Sequence, residues 1–184
     1  EYLNQCMKEQ NSSGGIIECV VTGMPAGLGD PVFEKLDANL AKAMFSIGSV
    51  KGFEIGSGFD CAVATGLNNN DAFCINENGT VCKKTNHAGG ILGGISDGSD
   101  LVFRTAIKPT PSIAAVQETI NRSGEEIEIS IKGRHDPIIV PRAVVVVESM
   151  AALVLADALL LNMSARMDHL HKVYDSKAKK PFEL

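Results

Sequence analysis

The five residues GRHDP, at positions 133–137, combine side chains that could act on an anionic substrate. Arg134 offers a planar fork of donors for phosphate or carboxylate, and Asp136 offers a carboxylate that could accept a proton. Pro137 fixes the backbone beside them. Charges placed between two buried elements are costly unless they are paired or used. The motif therefore indicates either a catalytic site or a structural Arg134–Asp136 ion pair, and the residues alone leave both open.

The segment KPTPS, at 108–112, places a cation beside a stiff, hydroxyl-bearing backbone. Lys108 precedes Pro109, Thr110, Pro111 and Ser112. Two prolines leave little conformational entropy to be lost when a ligand binds, so this segment could clamp a phosphate. The same residues are equally compatible with the end of a strand that carries a solvated lysine.

The stretch TNHAGGILGGI, at 85–95, contains two glycine pairs three residues apart. Glycine lets backbone amides approach a planar ring or an anion, because no Cβ intervenes. No GxGxxG opens a helix, and no P-loop lysine follows. The pairs indicate either a loop that contacts a ligand or a glycine-rich turn between strands.

The cysteines and histidines indicate no metal site. Five cysteines without a CxxC spacing predict neither a disulfide framework nor a zinc site, and they favour a reducing compartment. Cys19 and Cys61 stand among apolar neighbours and are expected in the core. His169, His171 and the lysines near the C-terminus are expected to be solvated.

Size and charge restrict the class of protein. The chain has 184 residues, of which 45% are hydrophobic, and this suits a single domain over residues 1–184 with a polar tail from about residue 169. The net charge of −5 argues against extended nucleic-acid binding. The longest apolar run contains Glu148 and Asp157, so we expect a buried helix and no membrane span. The start of the chain resembles no targeting segment and suggests a truncated protein.

The hydrophobic pattern predicts an α+β fold. After a short polar helix, strands are expected at GGIIECVV, KGFEIGSGF, LVFRTAI and EEIEISIK. An amphipathic helix is expected to start with Asp30 as N-cap and Pro31 at its first position, with Phe33 on its apolar stripe. The strict alternation of EEIEISIK predicts an antiparallel strand with one wet face. A long helix from about Pro141 is apolar nearly all round, which predicts that it is covered on several sides.

Six segments, in order, resemble the chorismate synthase family between about Gly14 and Leu160. They are GGIIECVVTGMPAGLGDPVFEKLDANLAKAMFSI, VKGFEIGSGF, NNNDAF, TNHAGGILGGISDG, FRTAIKPTPSI and GRHDPIIVPRAVVVVESMAALVLADALL. The resemblance implies helices sandwiched between antiparallel sheets, in a cytoplasmic homotetramer. It also implies a lyase that converts 5-enolpyruvylshikimate 3-phosphate to chorismate by 1,4-elimination of phosphate. The implied cofactor is reduced FMN, and whether NADPH or an external reductant supplies its electrons stays open.

The resemblance also implies site residues. Flavin contacts would fall at Gly48 and Ser49, at Gly93 or Gly94, along Lys108 to Ser112, and at Arg134. Arg134 would also hold the substrate phosphate. Asp136 would be the base associated with the flavin and with removal of the substrate proton.

Two departures from the family pattern bear on this expectation. The chain reads QNSSGG, with Asn11, where the family usually has an acidic residue, so we expect an interaction near the start of the first strand to differ. The family's GESHG-type motif, catalytic histidines and substrate-binding arginines would lie upstream of Glu1, so we expect this chain alone to be inactive. The alternatives are a non-catalytic flavin-binding or assembly module, or another enzyme that binds a phosphorylated small molecule.

Overall fold

The computed structural model describes residues 1–133 and 135–174. In chain order the elements are α1 (Tyr2–Lys8), β1 (Gly15–Val21), α2 (Leu36–Ser46), β2 (Val50–Ile55), α3 (Gly66–Asn69), β3 (Phe73–Ile75), β4 (Val81–Lys83), β5 (Ile91–Leu92), β6 (Ile95–Ser96), β7 (Leu101–Ile107), β8 (Gln117–Ile120), β9 (Glu126–Ile129), α4 (Val140–Met163) and α5 (Met167–Tyr174). A 3₁₀ turn, Gly58–Ala62, follows β2.

A three-stranded antiparallel sheet in the order β1-β7-β2 forms the centre of the fold. Every second residue of β7 is buried, including Phe103 and Thr105, because alternate side chains of a strand point to opposite faces. Helix α2 packs on β2, and α4 packs on α2 and β1. The core therefore lies between one face of this sheet and the two helices, and the predicted α+β class is confirmed.

Three small hairpins complete the described chain. Strand β3 pairs with β4, β5 with β6, and β8 with β9, all antiparallel. The first two hairpins lie within the polar stretch 67–98, whose only strong sequence signal is its glycines. This stretch is therefore an ordered insertion between the sheet strands β2 and β7.

The predicted start of the second helix is wrong. Asp30 and Pro31 lie in a loop, Phe33 is 88% exposed, and α2 begins at Leu36. The Leu36 amide donates to Gly94 O at 2.8 Å, so a distant glycine supplies the acceptor for the first amide of the helix. The predicted apolar stripe is confirmed at Leu40 and Met44, which are fully buried.

The strand at EEIEISIK is antiparallel, as predicted, but it does not have one buried face. All four residues of β9 are exposed, including Ile127 and Ile129. Its partner β8 carries no alternating pattern in the sequence and was not predicted. The β8–β9 hairpin therefore covers little apolar surface within the described chain.

Helix α4 is not covered on several sides in the described chain. Pro141 stands in its first turn, as predicted, but only Val147 and Ala151 are buried, while Val145 and Leu153 are about two-thirds exposed, at 60% and 65%. The sheet and α2 cover one side only. Among the described residues α4 is long and apolar enough to cross a membrane, with a mean hydropathy of 2.3 over its best window, but a single helix of this kind is weak evidence.

Two further expectations concern the polar tail and the cysteines. The polar tail from residue 169 is helical as far as the structure describes it, because α5 continues to Tyr174, and residues 175–184 with their lysines lie outside the described residues. Cys61 was expected in the core but is exposed in the 3₁₀ turn, whereas Cys19 is half-buried.

Candidate functional site

One end of the central sheet brings together most of the predicted site residues. Strand β7 ends at Ile107, opposite Val50 of β2 and Gly15 of β1, so the segments that flank these residues are neighbours. The Lys108 amide donates to Ser49 O at 2.9 Å. The Gly48–Ser49 turn and the Lys108–Ser112 segment therefore form one surface, which we call the basic edge.

The turn at Gly48 and Ser49 has an unusual backbone. Ser49 has φ +72°, a left-handed backbone conformation that residues other than glycine and asparagine rarely adopt. Such strain persists only where the surroundings hold it, and here the Lys108 amide does so. A Cβ placed on Gly48 would meet nothing within 4 Å, so open space lies next to this backbone.

The segment before β1 ties the basic edge to the Asp136 region. Ser12 Oγ donates to Thr110 O at 2.6 Å, and the Ser13 amide donates to Pro137 O at 2.7 Å. Ser13 also forms a parallel bridge with Ile138. Residues far apart in sequence therefore meet at the basic edge, and Ser12 and Ser13 are the residues that join them. The sequence offered only the glycine pair after them as a signal.

Asp136 makes a two-pronged ion pair with Arg142. Arg142 Nη1 lies 2.8 Å from Asp136 Oδ2, and Nη2 lies 3.4 Å from Oδ1. The Arg142 side chain is 75% exposed, so the pair is open to solvent and contributes little to stability. The Asp136 carboxylate is thus oriented by Arg142 and partly accessible to solvent.

The ion-pair interpretation of RHDP named a different partner. It paired Asp136 with Arg134, which lies outside the described residues, whereas the observed partner is Arg142 in the first turn of α4. Arg142 was missed because it stands in another predicted element. Its position directly after Pro141 was the signal that could have found it, because side chains in the first turn of a helix tilt toward the N-terminus and can reach the residues before the helix.

Lys108 supplies an accessible positive charge at this edge. Its side chain is exposed, and no carboxylate among the described residues forms an ion pair with it. Pro109 and Pro111 flank Thr110 and have no amide hydrogen to satisfy. The segment therefore presents a cation and two hydroxyl-bearing residues on a stiff backbone, an arrangement that can bind phosphate.

The second glycine pair lies at the other end of the sheet. Gly93 and Gly94 form the two-residue turn between β5 and β6, and both have positive φ, +59° and +87°. Gly94 O accepts from Leu36 at the start of α2, whereas Gly48 follows the end of α2, about 16 Å away along the helix axis. The two turns therefore lie at opposite ends of α2, and the flavin contact expected at Gly93 or Gly94 stays a prediction.

The first glycine pair, Gly89 and Gly90, lies where neighbouring backbone segments leave no room for a side chain. A Cβ on Gly89 would lie 2.5 Å from Gly56 N and 2.7 Å from Val102 O, and a Cβ on Gly90 would lie 2.6 Å from Asp100 O. A Cβ on Gly56 would overlap His87 O. The backbones of this loop, of the turn after β2 and of β7 therefore cross at van der Waals distance, which only glycine permits.

Asp71 holds the start of the same loop. Its Oδ1 accepts from Thr85 Oγ1 and from the His87 amide, both at 2.7 Å, and its Oδ2 accepts from the Ala88 amide at 2.9 Å. Burial opposes ionisation of this carboxyl and is the largest single influence. The hydrogen bonds from Ala88, Thr85 and His87 together outweigh it and lower the pKa of Asp71 below its ordinary value.

A second buried carboxylate anchors the other end of this loop. Asp97 pairs with Lys83 of β4, and both side chains are nearly inaccessible to solvent. Burial again opposes ionisation, but the bonds from Lys83 and from Ser99 lower the pKa of Asp97. The loop between the hairpins is therefore fixed at both ends by ionised aspartates.

A cavity of about 540 Å³ lies elsewhere, between α2 and α4. Its lining includes Asp30, Lys42 and Asp157 and none of the predicted site residues. No group of three or more metal-ligating side chains occurs in the described part of the chain. The candidate site is thus the open basic edge.

Fold and site together define an antiparallel α+β protein with a loop-built, phosphate-compatible edge beside an accessible carboxylate. Comparison with protein families specifies it further. The family model described as chorismate synthase matches residues 1–160, and the chain belongs to the chorismate synthase family.

Similar proteins agree with this assignment. The chorismate synthase of Agathobacter rectalis is 72% identical over 174 residues, which are 95% of this chain and 47% of the relative. That of Methanosarcina mazei is 55% identical over 161 residues, 87% of this chain and 44% of the relative. A solved structure titled as a crystal structure of chorismate synthase superposes with a TM-score of 0.72 at 31% identity and covers 96% of this chain and 46% of its own. The chain spans about half the length of these relatives.

Proposed function

We propose that the complete protein is a reduced-FMN-dependent lyase that converts 5-enolpyruvylshikimate 3-phosphate to chorismate and phosphate. The observation that carries the proposal is the meeting of Ser49, Lys108 and the Asp136 segment at the basic edge, in a chain of the chorismate synthase family. These segments are far apart in sequence, and the pairing of β2 with β7 and the Ser13–Ile138 bridge bring them together.

The residues of the basic edge fit an anionic, planar group. Open space adjoins Gly48, and Lys108 has no competing carboxylate among the described residues. Gly48, Ser49, Gly93 or Gly94 and the segment from Lys108 to Ser112 would hold the cofactor, together with Arg134, which lies outside the described residues. Reduced FMN, when bound, would supply electron density that stabilises an electron-poor allylic centre as phosphate leaves.

The chain's own residues would then perform the remaining chemistry. Lys108 and Arg134 would stabilise the negative charge of the departing phosphate, because cations fixed at a developing charge lower the barrier. Asp136, oriented by Arg142, would accept the proton that the elimination removes. Arg142 would act as a positioning residue for that carboxylate.

The experiment that tests this assignment measures turnover in the complete protein. Asp136→Asn should lower kcat by about 10²- to 10⁴-fold, the usual effect of removing a positioned base, with little change in FMN affinity. Asp60→Asn, on the exposed 3₁₀ turn, is the matched control and should keep full activity. Unchanged turnover in Asp136→Asn would return Asp136 to a purely structural ion pair.

One observation favours a second, non-catalytic candidate, an assembly or flavin-binding module. Leu153, Leu160 and Leu161 of α4 are each 65% exposed, and a contiguous apolar face of this kind usually marks an interface. We propose that α4 contributes to a cytoplasmic homotetramer in either case, without nucleic-acid or membrane partners. Turnover by the complete protein would exclude the non-catalytic candidate. Assembly that persists when turnover is absent would support it.

A further inference from the structure

Two cysteines face each other across the β3–β4 hairpin. Cys74 and Cys82 are direct partners in the antiparallel register, and their sulfur atoms lie 3.1 Å apart. Both are half-buried, and both are free thiols in this structure. A separation this short between two thiol sulfurs leaves room for nothing between them.

The backbone around the pair suits a covalent link. The Asn76 amide donates to Thr80 O and the Lys84 amide donates to Ala72 O, both at 2.9 Å. Since hydrogen-bonded and non-hydrogen-bonded pairs alternate along an antiparallel ladder, Cys74 and Cys82 form a hydrogen-bonded pair, with Cα atoms about 5.5 Å apart. Disulfides most often join Cα atoms about 5.5–6 Å apart, so the strands need not move.

The two thiols also interact as a pair. One thiol donates a hydrogen bond to the other, and that bond is the largest cause of the raised pKa of Cys82, with burial second. Cys61, exposed and 13 positions before Cys74, has no such partner among the described residues. Cys74 and Cys82 are thus set apart by their geometry, and Cys61 is a natural internal reference.

We propose that Cys74 and Cys82 form a reversible disulfide across the β3–β4 hairpin when the protein meets a low-molecular-weight disulfide such as glutathione disulfide. The thiolate of one cysteine attacks the glutathione S–S bond, forms a mixed disulfide and releases one glutathione thiolate. The second cysteine then attacks the protein sulfur of that mixed disulfide and releases the other glutathione. The protein loses two electrons and two protons, which appear on two molecules of glutathione.

The position of the pair gives the modification a structural consequence. Lys83, next to Cys82, is fixed to Asp97, and the Lys84 amide returns to Ala72 beside Asp71, which holds the glycine loop. A covalent bond at Cys74–Cys82 would therefore tie β3 to β4, the strand that leads into the loop at residues 85–95. Oxidation should slow amide exchange in β3 and β4 more than in the distant β8–β9 hairpin.

The test is disulfide mapping of the complete protein after equilibration with glutathione disulfide and alkylation of the remaining thiols. Cleavage after Glu77, which lies between the two cysteines, separates them into different peptides unless a disulfide joins them. We expect the Cys74 and Cys82 peptides to remain linked and to lose both alkylatable thiols together, in a manner that dithiothreitol reverses.

Variants assign the link and define the contrary result. The peptide that carries Cys74 also carries Cys61, so Cys61→Ser is needed to tell the two apart, and it should leave the link intact. Cys82→Ser should abolish the link and leave a glutathione adduct on Cys74. Wild-type protein in which Cys82 stays as alkylatable as Cys61, or carries only glutathione adducts, would overturn the proposal. Fragmentation of the linked wild-type peptides locates the bond at Cys74 or at Cys61, so the wild type decides the question even if a variant does not fold.

Discussion

The Asp71 Oδ1 atom lies 3.1 Å from His87 Nδ1, and the same carboxylate accepts hydrogen bonds from the backbone amides of His87 and Ala88. The ring nitrogen lies within ion-pair distance but makes no hydrogen bond among the described residues, whereas the carboxylate accepts from the two amides and from Thr85. Asp71 is therefore first a backbone-binding residue. It shapes the loop that carries both glycine pairs.

The lowered pKa values of Asp71 and Asp97 predict acid sensitivity. A carboxyl whose pKa is lower in the folded than in the unfolded state contributes stability above the unfolded value, near 3.8, and this contribution is lost as pH falls through the folded value. Urea unfolding should therefore show a falling free energy of unfolding as the pH is lowered from about 5. Asp71→Asn should be less stable at pH 7 and depend less on pH in this range.

A control distinguishes this effect from general acid unfolding. Asp60→Asn removes a carboxylate from the exposed 3₁₀ turn, where its side chain holds no backbone amide among the described residues, and should leave the wild-type curve unchanged. If Asp71→Asn retained the full wild-type loss of stability below pH 5, Asp71 would not be the source of the acid sensitivity.

The crossing of backbones at Gly56 predicts a large effect of a single methyl group. Gly56 has φ +54°, and its added Cβ would overlap His87 O and approach Gly89 N at 2.5 Å. Gly56→Ala should lower the free energy of unfolding by several kcal/mol, of which the left-handed backbone conformation accounts for about 1–2 kcal/mol. Chemical denaturation measures the loss.

Gly79 provides the matched comparison. It has a similar backbone, φ +76°, in the turn of the β3–β4 hairpin, but a Cβ there would meet nothing within 4 Å. Gly79→Ala should therefore lower the free energy of unfolding only by the cost of placing alanine in a left-handed backbone conformation. Equal losses for the two substitutions would mean that the loop can move away from β2 and that the close crossing is not required.

An unsatisfied hydroxyl in the core predicts a stabilising substitution. Thr105 is fully buried in β7, and its Oγ1 has no hydrogen-bond partner among the described residues. Thr105→Val keeps the shape and removes the buried polar group, so the protein should gain about 1 kcal/mol and a higher Tm. Thr65→Val is expected to have the opposite sign, since Thr65 Oγ1 accepts from the Asn68 amide at the start of α3. A loss of stability in Thr105→Val would indicate that Oγ1 has a partner in the complete protein.

The sequence predicted the elements with strong local patterns. The strands β1 and β7 and the stripe of Leu40 and Met44 follow from hydrophobic periodicity, which is a local property. The start of α2 could not be predicted in this way, because its first amide bonds to Gly94, which is 58 positions away. Long-range hydrogen bonds decide such boundaries, and they leave no mark in a short window.

The candidate site was predictable in its residues but only partly in its arrangement. Lys108 and Asp136 have chemically telling neighbours in the sequence, whereas Ser12 and Ser13, which join their segments, are unremarkable serines. Gly93 and Gly94 were grouped with the basic edge because of the family resemblance. The structure places them at the other end of α2, since the β5–β6 hairpin folds against the start of that helix.

The most direct test of the central claim is an anaerobic titration of the complete protein with reduced FMN, with and without 5-enolpyruvylshikimate 3-phosphate. Lys108→Ala removes the accessible cation of the basic edge and should weaken FMN binding by about tenfold or more, as loss of a charge-assisted contact costs roughly 1.5–3 kcal/mol. Lys51→Ala, on the exposed side of β2, should bind as the wild type does. Equal FMN affinity in Lys108→Ala and wild type would contradict the claim that the basic edge holds the flavin.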